Sequence, residues 1–399
     1  MPRWIALALL AQAACWSETA FREKCIAAGN CVLSDDGGGA AGGGAAGGGA
    51  GRDDGGVPTW NEVVSELFAA PVGLDAGFRL AFVSLPTGAP GTIGGVLTRS
   101  GSVICMPYSG SSALEVLPDA GFRFIPAPPR SGGWEGGVLL DDGSVLGIPH
   151  ETDSFLLIHP DDSGVRIIDA GIVAAGLLGT HFFEGAVITL SGQVLIAPSE
   201  SSRVGVFDPR TEQLSLFETG VNNVVARFAG LVLLPDGESA IVIPRESMKA
   251  FVATPSGVKA LANANGYSGG VLLPSGEALL TPVFQRRFLK LGSTGSAVPM
   301  GPMTSGYFSA AWSTNGYAYA IQTEAFGSGI AIIDRFGAVT EIPNASPEIQ
   351  FASHYGLVGR PDGVIVGCPD QSEKVLFIVP HTRRTVSLRT MTSPWLNKW

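Results

Sequence analysis

Apolar and polar positions along this chain repeat as one short phrase. A small residue or two is followed by an apolar run, a polar turn ending in Gly, a second apolar run and usually Pro. The phrase occurs seven times, at Gly94–Pro107, Gly136–Pro149, Gly185–Pro198, Gly230–Pro244, Gly269–Pro282, Ser309–Gln322 and Gly356–Pro369. The turn glycines Gly101, Gly143, Gly192, Gly237, Gly276, Gly316 and Gly363 recur every 39 to 49 residues. In the second unit two further apolar runs follow the Pro, giving four in all: Gly137–Leu140, Ser144–Ile148, Phe155–His159 and Val165–Asp169. Runs this short, bounded by Asp-Gly, Ser-Gly and Pro-Asp, predict β-hairpins and not helices. A fixed period of this length predicts an array of four-stranded units.

One such sheet leaves both faces apolar, so successive sheets must pack on one another, and a closed ring removes the exposed ends. The predicted fold is all-β, a seven-bladed β-propeller of four-stranded antiparallel blades. Asp75-Ala76-Gly77-Phe78-Arg79 echoes Asp119-Ala120-Gly121-Phe122-Arg123, so residues 60–93 are expected to supply strands that close the ring, with eight blades as the alternative. The domain reading is a signal peptide over 1–14, an anchor segment and linker over 15–59, the propeller over 60–390 and a C-terminal tail over 391–399.

The N-terminus adds an expectation about location. Met1-Pro2-Arg3 precedes an apolar run from Trp4 to Ala14, a secretion signal too short to span a bilayer. Gln12-Ala13-Ala14-Cys15 resembles a bacterial lipobox, which implies lipidation at Cys15, although Gln12 stands where that motif usually has Leu. The alternative is ordinary signal cleavage after Ala13. Residues 37–56 are almost all Gly and Ala, so a disordered, flexible tether is expected between anchor and head. The expected location is therefore extracytoplasmic: an outer-membrane or cell-surface lipoprotein, or else a secreted or periplasmic protein.

Charge narrows the partners. The net charge is -10 and Lys and Arg never run longer than two, which argues against nucleic acid. The expected partners are a protein or glycan of the cell envelope, with the membrane reached through the lipid, and the head is expected to be a monomer. Of five cysteines, Cys25 and Cys31 are close enough to form a disulfide. Cys105 and Cys368 stand at different offsets from the strand-ending Pro, so alternation sends them to opposite sheet faces and predicts free thiols.

Candidate chemistry lies where the loops before each first strand and after each Pro share one face. Four residues before the first strand's leading apolar position stand Thr92, Trp134, Phe183, Phe228, Tyr267, Tyr307 and His354. This repeated aromatic position reads as packing between blades, or else as a stacking platform for sugars. The next position varies: Ile93, Glu135, Glu184, Ala229, Ser268, Phe308 and Tyr355. Glu135 and Glu184 fall on adjacent blades, where a carboxylate pair could work as acid and base or hold a divalent cation. The post-Pro loops add His150, Glu151, Asp153, Glu200, Arg203, Arg245, Glu246, Arg286, Arg287, Asp370, Glu373 and Lys374. His150, His181 and His354 share this face, but coming from the second, third and last repeats they read as independent loop histidines and predict no metal site. The candidate binding set is thus Trp134, Glu135, His150, His181, Glu184, Tyr267, Tyr307, His354 and Tyr355. No cofactor is predicted beyond the divalent cation that the carboxylates allow.

Gly269-Gly270-Val271-Leu272-Leu273-Pro274-Ser275-Gly276, with Pro235-Asp236-Gly237 and Pro361-Asp362-Gly363, resembles the repeat of bacterial extracellular propellers in the NHL, streptogramin-lyase-like and lactonase-like group. The resemblance spans residues 94–389 and departs from the NHL pattern where Pro107, Pro149, Pro198 and Pro282 replace the usual Asp. It carries over no catalytic residue. The function expected from the sequence is a non-catalytic binding or scaffold module, with a lyase, lactonase or glycosidase as the alternative.

Overall fold

A computed structural model describes residues 56–68, 77–128, 133–160, 164–172, 177, 181–221, 227–304, 306–322, 327–349 and 353–396. The expectations for the signal segment, Cys15, the Cys25 and Cys31 disulfide and the Gly/Ala-rich linker lie outside these residues. The described chain forms seven four-stranded antiparallel sheets. Blades 1 to 6 each run through four consecutive strands, starting at Thr92, Trp134, Phe183, Phe228, Tyr267 and Tyr307. Blade 7 takes three strands from the end of the chain, His354–Gly359, Ile365–Pro369 and Lys374–Pro380, and its outer strand, Phe78–Ser84, from the beginning. Phe78 and Arg79 of that echo therefore begin the outer strand of the last blade, and the described residues form seven blades, not eight.

Each turn glycine between first and second strands has a left-handed backbone, with φ from 71° to 88°. A side chain would be strained there, which explains why this glycine recurs in all seven copies. Every first strand also carries a β-bulge near its start, as the register shifts after Ile93, Trp134, Phe183, Phe228, Tyr267, Tyr307 and His354 show. A bulge re-aims the neighbouring side chains, so these bulges control what faces the axis.

Cys105 and Cys368 form a disulfide, with Cα atoms 5.7 Å apart, and both side chains are fully buried. This corrects the expectation of free thiols. Neighbouring blades in a ring meet through opposite faces, so two residues pointing to opposite faces of adjacent sheets point at each other. Gly95 leaves the space: a Cβ on it would lie 2.7 Å from the Cys368 sulfur.

Two helices occupy the end of the channel away from the strand-opening residues. Trp60–Phe68 begins with a capping box in which the Glu62 N–H donates to the Thr59 hydroxyl and the Thr59 N–H donates to the Glu62 carboxylate. Leu388–Met391 lies beside it, and the Glu66 carboxylate accepts from the Ser387 N–H and the Thr390 hydroxyl. Phe68 packs edge-on against Trp312, and Trp60 meets Trp395, whose indole N–H donates to the Leu234 carbonyl. These contacts lie at the far ends of the first strands, so the helices form a floor under the ring.

Candidate active site at the channel mouth

The position that opens each first strand is a packing position. Thr92, Trp134, Phe183, Phe228, Tyr267, Tyr307 and His354 are all buried, each opposite the residue that ends the second strand. The Trp134 indole donates to the Ser154 carbonyl, and the Tyr307 hydroxyl to Glu341. Burial pushes the Tyr267 hydroxyl up to about 12. His354 sits inside blade 7, where its Nε2 donates to the Lys374 carbonyl, and burial lowers its pKa to about 4. Of the residues expected at the mouth, the structure therefore places Trp134, Tyr267, Tyr307 and His354 in the blade interiors.

The next position faces the channel. In five blades the residue after it is a glycine with positive φ (Gly94, Gly136, Gly185, Gly230 and Gly356), which turns the preceding side chain toward the axis. Glu135 and Glu184 project there from blades 2 and 3, while Ser268, Phe308 and Tyr355 occupy the same position in blades 5 to 7. The Phe308 and Tyr355 rings meet edge to face at 4.3 Å.

A second ring of side chains comes from the residue just after the second strand. Its N–H donates to the carbonyl preceding the first strand in six blades: Tyr108 to Gly91, His150 to Gly133, Ser199 to Phe182, Arg245 to Arg227, Val283 to Gly266 and Asp370 to Ser353. This recurring bond holds Tyr108, His150, Arg245 and Asp370 at one level around the mouth. Tyr108 was not a sequence candidate, yet it stands at the same offset from Pro107 as His150 from Pro149. Residues next to the third strand lie farther out: Arg203 pairs with Glu218, and Lys374 with Glu348.

Blades 2 to 4 carry the densest chemistry. His150 Nδ1 lies 2.7 Å from the Phe183 carbonyl, which can only accept, so that nitrogen carries the proton and Nε2 offers its lone pair. The same Nδ1 is 3.1 Å from Glu135, whose carboxyl is raised well above its ordinary range by burial and by Glu184. Glu184 pairs with Arg245 at 3.0 Å, and the Arg245 guanidinium lies 5.1 Å from the Phe308 ring centre. Above this layer, His181 lies 3.3 Å from both Glu151 and Glu200, and Glu200 pairs with Arg227 at 2.8 Å. The Tyr108 hydroxyl reaches Glu151 at 3.3 Å.

His150, Glu151 and His181 each bring one ligating atom within 4.8 Å of the other two. Ligands about 2.1 Å from a tetrahedral ion stand roughly 3.4 Å apart. The 3.3 Å between His181 Nε2 and Glu151 matches that spacing. Glu200 on the other His181 nitrogen, and the Phe183 carbonyl on the other His150 nitrogen, are the outer partners that metal-bound imidazoles use. The three residues can therefore hold a divalent ion, which would polarise a bound oxygen. The sequence reading set His150 and His181 apart as independent; it missed that Glu151 lies between them.

In fold the chain is similar to streptogramin B lyase. That structure is 12% identical over 75% of this chain and 97% of its own, with a TM-score of 0.63. Virginiamycin B lyase from Staphylococcus aureus is 12% identical over 76% and 99%, with a TM-score of 0.62. A chain of Kuenenia stuttgartiensis hydrazine synthase, 14% identical over 75% and 97%, has a TM-score of 0.56. Neither a family model nor a curated protein matches the sequence. At these identities the likeness is one of fold, and function has to be argued from the site.

Proposed function

We propose that the protein is an extracytoplasmic propeller enzyme that binds a divalent cation on His150, Glu151 and His181 and uses it to activate an oxygen of a small substrate for elimination or hydrolysis. The convergence of those three ligands at the mouth carries the reading. Glu184 is the nearby carboxylate available to take a proton, and Tyr108 can orient Glu151. The lyases among the structural neighbours support the reaction class by analogy of fold. The buried disulfide supports an oxidising compartment, as does the secretion signal expected from the sequence.

Calorimetric titration of the metal-stripped protein with Mn2+ or Zn2+ is expected to give one site per chain. His181→Ala and Glu151→Gln should each weaken it at least tenfold. Metal-dependent turnover should then appear in a panel of esters and of ethers that can undergo elimination. Binding no tighter in the wild type than in His181→Ala would remove the reading. A non-catalytic binding role is the second reading, favoured by Met248 and Phe284, exposed by 62% and 52% on loops that follow second strands. Capture of an envelope protein or glycan by a metal-free head would decide for it.

A further inference from the structure

Carboxyl groups outnumber guanidiniums among the side chains placed at the mouth. Six carboxyl groups, Glu135, Glu151, Glu184, Glu200, Glu246 and Asp370, stand with the guanidiniums of Arg227 and Arg245, while Arg286 and Arg287 lie on the loop after Pro282.

Asp370 is the unexplained member. It occupies in blade 7 the place that His150 holds in blade 2, and its N–H is tied to the Ser353 carbonyl. Glu184 and Glu200 have arginine partners and Glu135 has His150. The Asp370 carboxylate has neither a hydrogen bond nor an ion pair among the described residues. Gly91 backs it closely, since a Cβ there would lie 3.0 Å from Asp370 Oδ1. A half-buried carboxylate without a partner is costly, and its pKa is pushed up to about 6 by burial alone. Such a cost persists where a ligand removes it.

A second, independent observation comes from the first strands, whose second residues face the channel. A small cavity against the first strands of blades 4 to 7 is lined by Ala229, Ser268, Phe308, Ser309 and Leu357. The Ser268 and Ser309 side chains are buried, and neither hydroxyl has a hydrogen-bond partner among the described residues. They can accept hydrogen bonds from N–H groups. The Phe308 ring already carries the Arg245 guanidinium, and the Tyr355 ring packed on it adds a second aromatic surface, of the kind that attracts cations.

From these placements we infer that the substrate is an organic cation bearing an ammonium group, received by Asp370 at the mouth, two blades round the ring from His150. This rests on the catalytic reading for the word substrate, but the recognition itself does not depend on the metal. Asp370 is a specificity residue in this assignment, and anionic substrates such as phosphate esters are disfavoured.

The test uses the full chain saturated with Mn2+ and three probes of one shape, benzylamine, benzyl alcohol and benzoate, followed by ligand-detected NMR. Benzylamine is expected to bind at least tenfold tighter than benzyl alcohol, and benzoate more weakly than both. Asp370→Asn should erase the preference for the amine while leaving Mn2+ affinity within twofold, and Asp370→Glu should retain most of it. A thermal melt confirms that each variant is folded. Equal binding of amine and alcohol, or an unchanged preference in Asp370→Asn, overturns the inference. If the amine preference stands while Mn2+ fails to bind, the metal reading falls and this one holds.

Discussion

Removing the disulfide tests how the ring is held. The bond joins blade 1 to blade 7 across 263 residues, so the cross-linked loop contains the greater part of the propeller. In the chain-entropy account, tying a loop of that length costs the unfolded chain about 19 cal/mol/K, or roughly 5.5 kcal/mol at 25 °C. Structure left in the denatured chain lowers the return, so about 3 to 5 kcal/mol is expected. For a domain of this size that is roughly a 4 to 7 °C fall in melting temperature. The assay compares oxidised wild type with Cys105→Ala/Cys368→Ala by thermal melt and by unfolding rate in urea. Peptide mapping without reduction must first show Cys105 linked to Cys368. The double variant should unfold faster and begin at the seam, with the Phe78–Ser84 strand losing amide protection before the strands of blades 3 to 5. A double variant that melts within 2 °C of wild type and keeps its seam protected would refute the view that the bond constrains ring opening.

Other expectations are quicker to check. Burial lowers the His354 pKa from 6.5 to about 4, so its neutral form stabilises the fold above pH 6.5. That contribution, roughly 3 kcal/mol, is lost as pH falls from 6.5 towards 4; His354→Gln should flatten the melting curve over that window. Asp370 has the opposite sign. Its pKa is raised from 3.8 to about 6, so its penalty grows as pH rises through that range. Allowing for its partial exposure, Asp370→Asn should be more stable by about 1 kcal/mol above pH 6 and unchanged below pH 4. Gly95→Ala would place a methyl 2.7 Å from the Cys368 sulfur and 2.8 Å from Val358, and should cost about 1–3 kcal/mol in chemical denaturation.

The architecture was legible because it rests on local rules repeated seven times. A left-handed turn needs Gly, and the copies of Gly101 through Gly363 announce it wherever they fall. The aromatic position was legible as packing for the same reason. The disulfide was not, because reading one strand at a time gives the faces of Cys105 and Cys368 but not which faces meet around a ring. The Trp60–Phe68 helix carried a signal in Thr59 and Glu62 that competing strand patterns obscured. At the site, the variable position pointed to Glu135 and Glu184, but the pairing of His181 with Glu151 depends on how far one blade's loop leans over the next. That distance is set by packing and leaves no mark in the spacing of residues.

The floor has a use of its own in protein engineering. Trp60 and Trp395 meet tilted, with ring centres 5.9 Å apart, so the two ends of the described head come together beneath the ring. A short linker could join them, and new ends could be cut into a turn on the same side, such as the one at Gly192. Such a circular permutant would make the four strands of blade 7 consecutive in the chain, joined through the floor helices, and move the strand donated from elsewhere in the chain to another blade. Its metal affinity would then report whether the mouth depends on where the chain happens to start.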